Sequence, residues 1–328
     1  MTRKIPFPNP EIGAFTFIDL FAGIGGFRLA CHNLKGRCVF SSEWDLKAQQ
    51  TYAYNFGEVP HGDITIEATK QVIPDNFDLL CAGFPCQAFS IAGNRLGFDD
   101  TRGTLFFDVA EIIRRKKPRA VFLENVKNLK SHDNGKTFRV IKATLEELGY
   151  AVYHTVMSPD KYANIPQNRE RIFIVCFDQN RVPNHNEFSF PEPVELTNTI
   201  HDCIDATVSE DKYFYTEKMS HYDELKGAIT SYDTIYQWRR VYVRENKSNV
   251  CPTLTANMGE GGHNVPLILT PEGIRKLTPK ECLNFQGYPH NYMFPENMAN
   301  SACYKQAGNS VAVPLIQRVC QQILQIIQ

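Results

Sequence analysis

The chain reads as an α/β protein built on a mostly parallel sheet and followed by a smaller, irregular, β-rich domain. Three observations predict this. Residues 14–178 alternate strand-like and helix-like segments, a pattern that right-handed crossovers fold into a largely parallel sheet. From about residue 183 prolines crowd at 183, 191 and 193, and the rhythm stops. Finally, 328 residues, 43% of them apolar, suffice for about two domains at roughly 150 residues each.

The elements follow in order. A strand is expected over 15–21, a tight turn at Gly23, Gly25 and Gly26, and a short helix over 27–34. A second strand spans 37–43, and 45–56 has helical spacing with Asp45 placed to cap it. Residues 77–82 form a third strand, 105–117 a helix, 120–123 a strand and 138–148 a helix. Two more strands cover 151–157 and 171–177. Residues 195–270 are rich in Thr, Tyr, Asn and Gly, with short β-like runs and no long amphipathic helix. Helices at 279–285 and 313–327 close the chain.

Composition excludes several classes. Only 22% of residues are charged and no long run has one sign, which argues against disorder. No apolar stretch approaches the roughly 20 residues of a membrane span, and the basic start has no apolar segment behind it. A soluble, cytoplasmic protein is expected. The ten cysteines include no C-x-x-C pair, so neither zinc nor a disulfide framework is expected. Most read as small buried hydrophobes in a reducing compartment. With net charge −1 and pI about 6.8, any polyanion must meet a local cluster. One cluster, 114–119, looks like the cationic end of a helix. The other joins Arg239, Arg240, Arg244 and Lys247 with Tyr236, Trp238 and Tyr242.

Ligands of an open parallel sheet bind at the carboxyl ends of its strands. Asp19 and the glycine turn fall at the first such end, and Glu43 with Trp44 at the second. The third carries Gly83 and the loop to Cys86, the next Glu124 and Asn125, and Asp63 marks a further edge. Gly23 and Glu43 are 20 residues apart, as in a dinucleotide fingerprint, but its third glycine would be residue 28, an arginine. A nucleoside lacking phosphates fits better, and a plain structural turn is the alternative. Cys86 follows a proline that fixes the backbone beside it, which suits a positioned nucleophile as well as an ordinary loop thiol. Arg169 and Arg171 share a face of a strand by alternation. They need either an anion or an ion-pair ladder with Glu170 or Asp178.

Five segments together, DLFAGIGGF at 19–27, GFPCQ at 83–87, ENV at 124–126, QNRER at 167–171 and QAGNS at 306–310, resemble those of the DNA (cytosine-5) methyltransferases. The likeness spans nearly the whole chain. It implies the Rossmann-like fold of S-adenosylmethionine-dependent methyltransferases, carrying a target-recognition domain. Residues 1–190 with 303–328 would form the catalytic domain, 191–275 the recognition domain and 276–302 a hinge. Phe21 would stack on the adenine of S-adenosyl-L-methionine, with Gly23 and Gly25 in the turn beneath it. Glu43 would bind the ribose, and Trp44 would add apolar contact. Asp63 and Ile64 would meet the adenine edge, with Gly83, Leu105, Asn309 and Ser310 lining the rest.

By the same resemblance, the Cys86 thiolate would add to carbon 6 of cytosine so that carbon 5 attacks the methyl group. Glu124 would bond ring nitrogen 3 and the exocyclic amine, while Arg169 and Arg171 would hold the base's carbonyl oxygen and the Cys86 loop. The target must leave the duplex stack. Gln87, Ser90 and Arg95 fall in a loop expected to close over it, and Gln237 would fill the gap. Arg239, Arg240, Arg244 and Thr253 would read double-stranded DNA. A monomer is expected, with a cognate restriction endonuclease as functional partner. Methylation of tRNA by a related fold is the rival reading.

Overall fold

The structure, a computed structural model, describes residues 4–85, 105–239, 241–260 and 264–328. Cys86, Gln87, Ser90, Arg95 and Arg240 lie outside the described residues. The chain divides into two compact units. Unit 1 comprises Met1–Met157, Glu170–Pro191 and Ile316–Gln328, and unit 2 comprises Ser158–Arg169 and Glu192–Leu315. This partition differs from the sequence-based division, because Ser158–Arg169 and residues 303–315 group with unit 2.

Unit 1 is a six-stranded sheet in the order β2-β1-β3-β4-β6-β5. In chain order its elements are β1 (Phe15–Leu20), α1 (Gly26–Asn33), β2 (Gly36–Ser42), α2 (Leu46–Phe56), α3 (Glu67–Gln71), β3 (Leu79–Gly83), α4 (Leu105–Lys116), β4 (Ala120–Val126), α5 (Lys136–Glu147), β5 (Tyr150–Met157) and β6 (Arg171–Asp178). β1 pairs in parallel with β2 and β3, and β3 with β4. β6 is antiparallel to both neighbours, so the sheet is mixed and the expected parallel pairing covers β1 to β4. The strands carry near-continuous apolar runs because both faces are covered. The core joins Ile18, Leu80, Ile113, Val121, Ile141 and Ile174.

Helix ends follow local chemistry. Asp45 accepts the N–H groups of Lys47 and Ala48 at 2.9 and 3.2 Å and so starts α2. The basic run at 114–119 supplies the cationic last turn of α4, with Arg115 bonded to Glu67 and Glu111 and Lys116 to Asp75.

Unit 2 contains α6 (Pro159–Tyr162), α7 (Tyr222–Ala228), β7 (Tyr236–Trp238), β8 (Val243–Glu245), β9 (Leu267–Thr270), β10 (Gly273–Lys276), α8 (Pro279–Asn284) and α9 (Asn300–Asn309). Its antiparallel sheet has the order β10-β9-β7-β8. Tyr215, Leu225, Ile229, Tyr236, Leu267 and Ile274 form a small core. Ser158–Arg169 belongs here because Gln167 bridges Cys251, with Cys251 N–H bonded to Pro166 O at 2.7 Å and Asn168 N–H to Cys251 O at 2.8 Å. The helix α10 (Val313–Ile327) ends the chain. Within unit 1 its Cys320 lies 3.9 Å from Cys31, and its Gln317 accepts from Asn33 at 3.0 Å. The run Asn300–Ile327 is long and apolar enough to cross a membrane by length and composition alone, and 61% of its most apolar window is buried, as in a core helix.

Candidate active site and nucleic-acid interface

The carboxyl edge of the unit 1 sheet gathers most of the residues expected to hold a cofactor. Phe21 leaves β1 with φ 55°, in the left-handed region that a bulky side chain rarely adopts. Gly25 has φ 83°, and a Cβ there would lie 2.3 Å from Cε2 of Phe56, so the turn demands glycine. Glu43, 7% exposed, accepts Gly23 N–H at 2.7 Å through Oε2 and Asp45 N–H at 2.8 Å through Oε1. One carboxylate thus ties the glycine turn to the start of α2. Burial pushes this carboxyl above its usual range, against the lowering effect of the backbone N–H groups of Asp45, Gly23 and Trp44. Trp44 is 74% exposed, Ile64 is buried, and Asp63 accepts Thr65 N–H at 2.9 Å. His61 bridges to Ser42, which puts Asp63 near the same edge. Leu105 is the half-buried first residue of α4.

Asp19 sits in the row of β1 paired with Ser41 and Cys81. It is fully buried, and burial raises its pKa to about 8. Arg28, expected to disfavour a pyrophosphate at the turn, points into the core. It bonds Tyr52 and Glu58, each at 2.9 Å, and packs over the rings of Tyr52 and Phe56.

The next two strand ends carry the expected catalytic carboxylate. Gly83 and Glu124 are paired in register, and a Cβ on Gly83 would stand 3.7 Å from Oε2 of Glu124. Glu124 is 8% exposed, and its Oε1 lies 3.0 Å from Nε of Arg171. Arg171 opens β6 opposite Val126, so the pair reaches diagonally between adjacent strands. Asn125, which the sequence places beside Glu124, donates to Phe84 O at 2.8 Å and accepts Val126 N–H at 2.8 Å. It therefore fixes the backbone two residues before Cys86.

Arg169 is buried, and its guanidinium meets backbone carbonyls. Its guanidinium donates to Leu254 O at 2.7 Å, Gly308 O at 3.1 Å and Ser310 O at 2.6 Å, all within unit 2. Alternation along the strand does not reveal this, because β6 begins only at Arg171. Asn309 is exposed at the end of α9, and the buried Ser310 hydroxyl bonds Tyr288 OH. Both belong to unit 2.

A polar cleft of about 360 Å³ in unit 2 brings together Gln237, Arg239, Arg244 and Thr253. Gln237 and Arg244 face each other across β7 and β8, and Arg239 donates to Oε1 of Gln237 at 3.1 Å. Thr253 Oγ1 donates to Asn168 O at 2.7 Å. Asn168, Asn246 and Asn264 also line the cleft; far apart in sequence, they offer no spacing to find. Among the described residues no group of His, Cys, Asp and Glu is placed to hold a metal ion.

The family model of C-5 cytosine-specific DNA methylases matches residues 15–325. The chain belongs to this family. Within the C-5 cytosine-specific DNA methylases it is 51% identical over 309 residues to the Type II methyltransferase M.Bsp6I of Bacillus sp. (strain RFL6), covering 93% of this chain and 97% of that protein. It is 41% identical to the Type II methyltransferase M.HhaI of Haemophilus parahaemolyticus, covering 97% of both. The fold is shared with a Spodoptera frugiperda DNMT2 structure at TM-score 0.71 and 20% identity, over 95% of this chain and 100% of that one.

Proposed function

We propose that this methylase transfers a methyl group from S-adenosyl-L-methionine to carbon 5 of a cytosine extruded from a specific duplex sequence. The pairing of Glu124 with Arg171, beside the Gly83 strand end that leads to Cys86, carries this reading. The role proposed for such a mark is protection of DNA from a cognate restriction endonuclease, in keeping with the chain's likeness to Type II methyltransferases.

The residues present fit the cofactor. Each Glu43 oxygen accepts one backbone N–H and keeps a lone pair for a ribose hydroxyl. Phe21 and the exposed Trp44 offer aromatic surface to adenine, with Asp63 and Ile64 at its edge and Gly83 and Leu105 beside it. Arg28 is committed to the core, as suits a ligand without phosphates. When bound, S-adenosylmethionine supplies an electrophilic methyl group.

The Cys86 thiolate adds to carbon 6 of the ring, which makes carbon 5 nucleophilic; sulfur is soft and leaves again once the carbon-5 proton is lost. Glu124 bonds ring nitrogen 3 and the exocyclic amine, favouring the charge that develops on addition. Arg171 holds that carboxylate in place. Unit 2 reads the DNA through Gln237, Arg239, Arg244 and Thr253, with bidentate arginine contacts suited to guanine edges.

Labelled S-adenosylmethionine offered with duplex DNA or tRNA tests the proposal. Label at cytosine carbon 5 of the duplex is expected, and its absence there would sink the reading. Cys86→Ser is expected to abolish methylation while cofactor affinity, read by calorimetry, stays unchanged.

A further inference from the structure

A buried ammonium group outside the steps above joins two helices that carry or adjoin cofactor-site residues. Lys70, 6% exposed on α3, lies 2.7 Å from Oδ1 of Asp108 and 2.6 Å from Oε2 of Glu111, both on α4. Arg115 extends the chain of alternating charges, at 2.6 Å from Glu111 and 2.6 Å from Glu67 on α3.

A buried pair of this kind adds little net stability, since desolvation offsets the attraction. Its short charge-assisted bonds instead fix distance and direction. Position matters here at both ends. α3 directly follows the Asp63 turn, where Ile66 N–H bonds Asp63 O at 3.3 Å. α4 opens with Leu105.

We propose that Lys70 is a positioning residue for the cofactor pocket, holding Asp63 and Ile64 in fixed relation to Leu105 through Asp108 and Glu111. This rests on the cofactor assignment made above. Lys70→Met is expected to raise the KM and Kd for S-adenosylmethionine roughly tenfold, short of the ~100-fold that a 1 Å misplacement of a reacting group can cost. With kcat at saturating cofactor held within about twofold, that pattern marks lost binding alone. Lys70→Arg, which keeps the charge, is expected to restore the affinity. Lys70→Gln, which leaves a donor and adds no charge, carries the test if the methionine variant fails to fold, as judged by its melting curve.

An unchanged cofactor Kd in a folded Lys70→Met or Lys70→Gln protein overturns the proposal, and so does a fall in kcat without a change in KM. Glu43→Gln separates the two levels of inference. If it binds cofactor normally, the site assignment itself is wrong; if it loses binding while the Lys70 variants keep it, only the role of Lys70 fails.

Discussion

Among single residues, the proposed catalytic edge depends on a few polar contacts made where water is scarce. Glu124 pairs with Arg171, and both side chains are largely buried. Removing the guanidinium leaves a carboxylate free to turn away from the ring it is proposed to bind. Arg171→Ala is therefore expected to lower kcat by about 10²-fold, in the range seen when one preorganised transition-state contact is lost. Cofactor Kd should barely move, and steady-state kinetics with calorimetry checks both. The motif containing this arginine is legible in the sequence, but the partner of each arginine is not. Arg169 and Arg171 are two positions apart, yet one donates to backbone carbonyls of unit 2 and the other to Glu124. Sequence alternation assigns faces, whereas the partner depends on which distant segment packs there.

Among the elements, strand and helix periods locate β1 to β6 and most helices within a few residues. α9 escapes such a reading because its apolar spacing is weak and its role is close packing. Gly308 on this helix shows the constraint: a Cβ there would lie 2.1 Å from the carbonyl carbon of Thr255. That neighbour is backbone and cannot swing aside, so Gly308→Ala is expected to lower the melting temperature sharply. Gly227 on α7 has nothing within 4 Å of its Cβ position. Gly227→Ala is expected to be neutral or to stabilise by up to about 1 kcal/mol through helix propensity. Thermal melts of the two variants side by side check the contrast, and equal shifts would refute the packing argument.

For the molecule as a whole, stability is expected to depend on pH through Asp19. Burial raises its pKa from 3.8 to about 8, against the lowering effect of Arg28 and with smaller raising effects from Glu43 and Cys320. The folded state then holds a proton that the unfolded chain has released, so this contribution is full below about pH 3.8 and is lost as pH climbs to about 8. Denaturant titrations between about pH 5 and 9 should show stability falling with pH, and Asp19→Asn should remove that component. A variant with the same pH slope as the parent would refute it. The α/β class, the positions of the strand ends and the family motifs are all readable from the chain alone, because periodicity and short motifs are local properties. Three-dimensional packing was needed to establish that Ser158–Arg169 joins unit 2, that β6 runs against its neighbours and that Asn168, Asn246 and Asn264 share a cleft with Arg244. Those outcomes depend on contacts between segments distant along the chain, where desolvation and steric fit act on pairs that no local pattern joins.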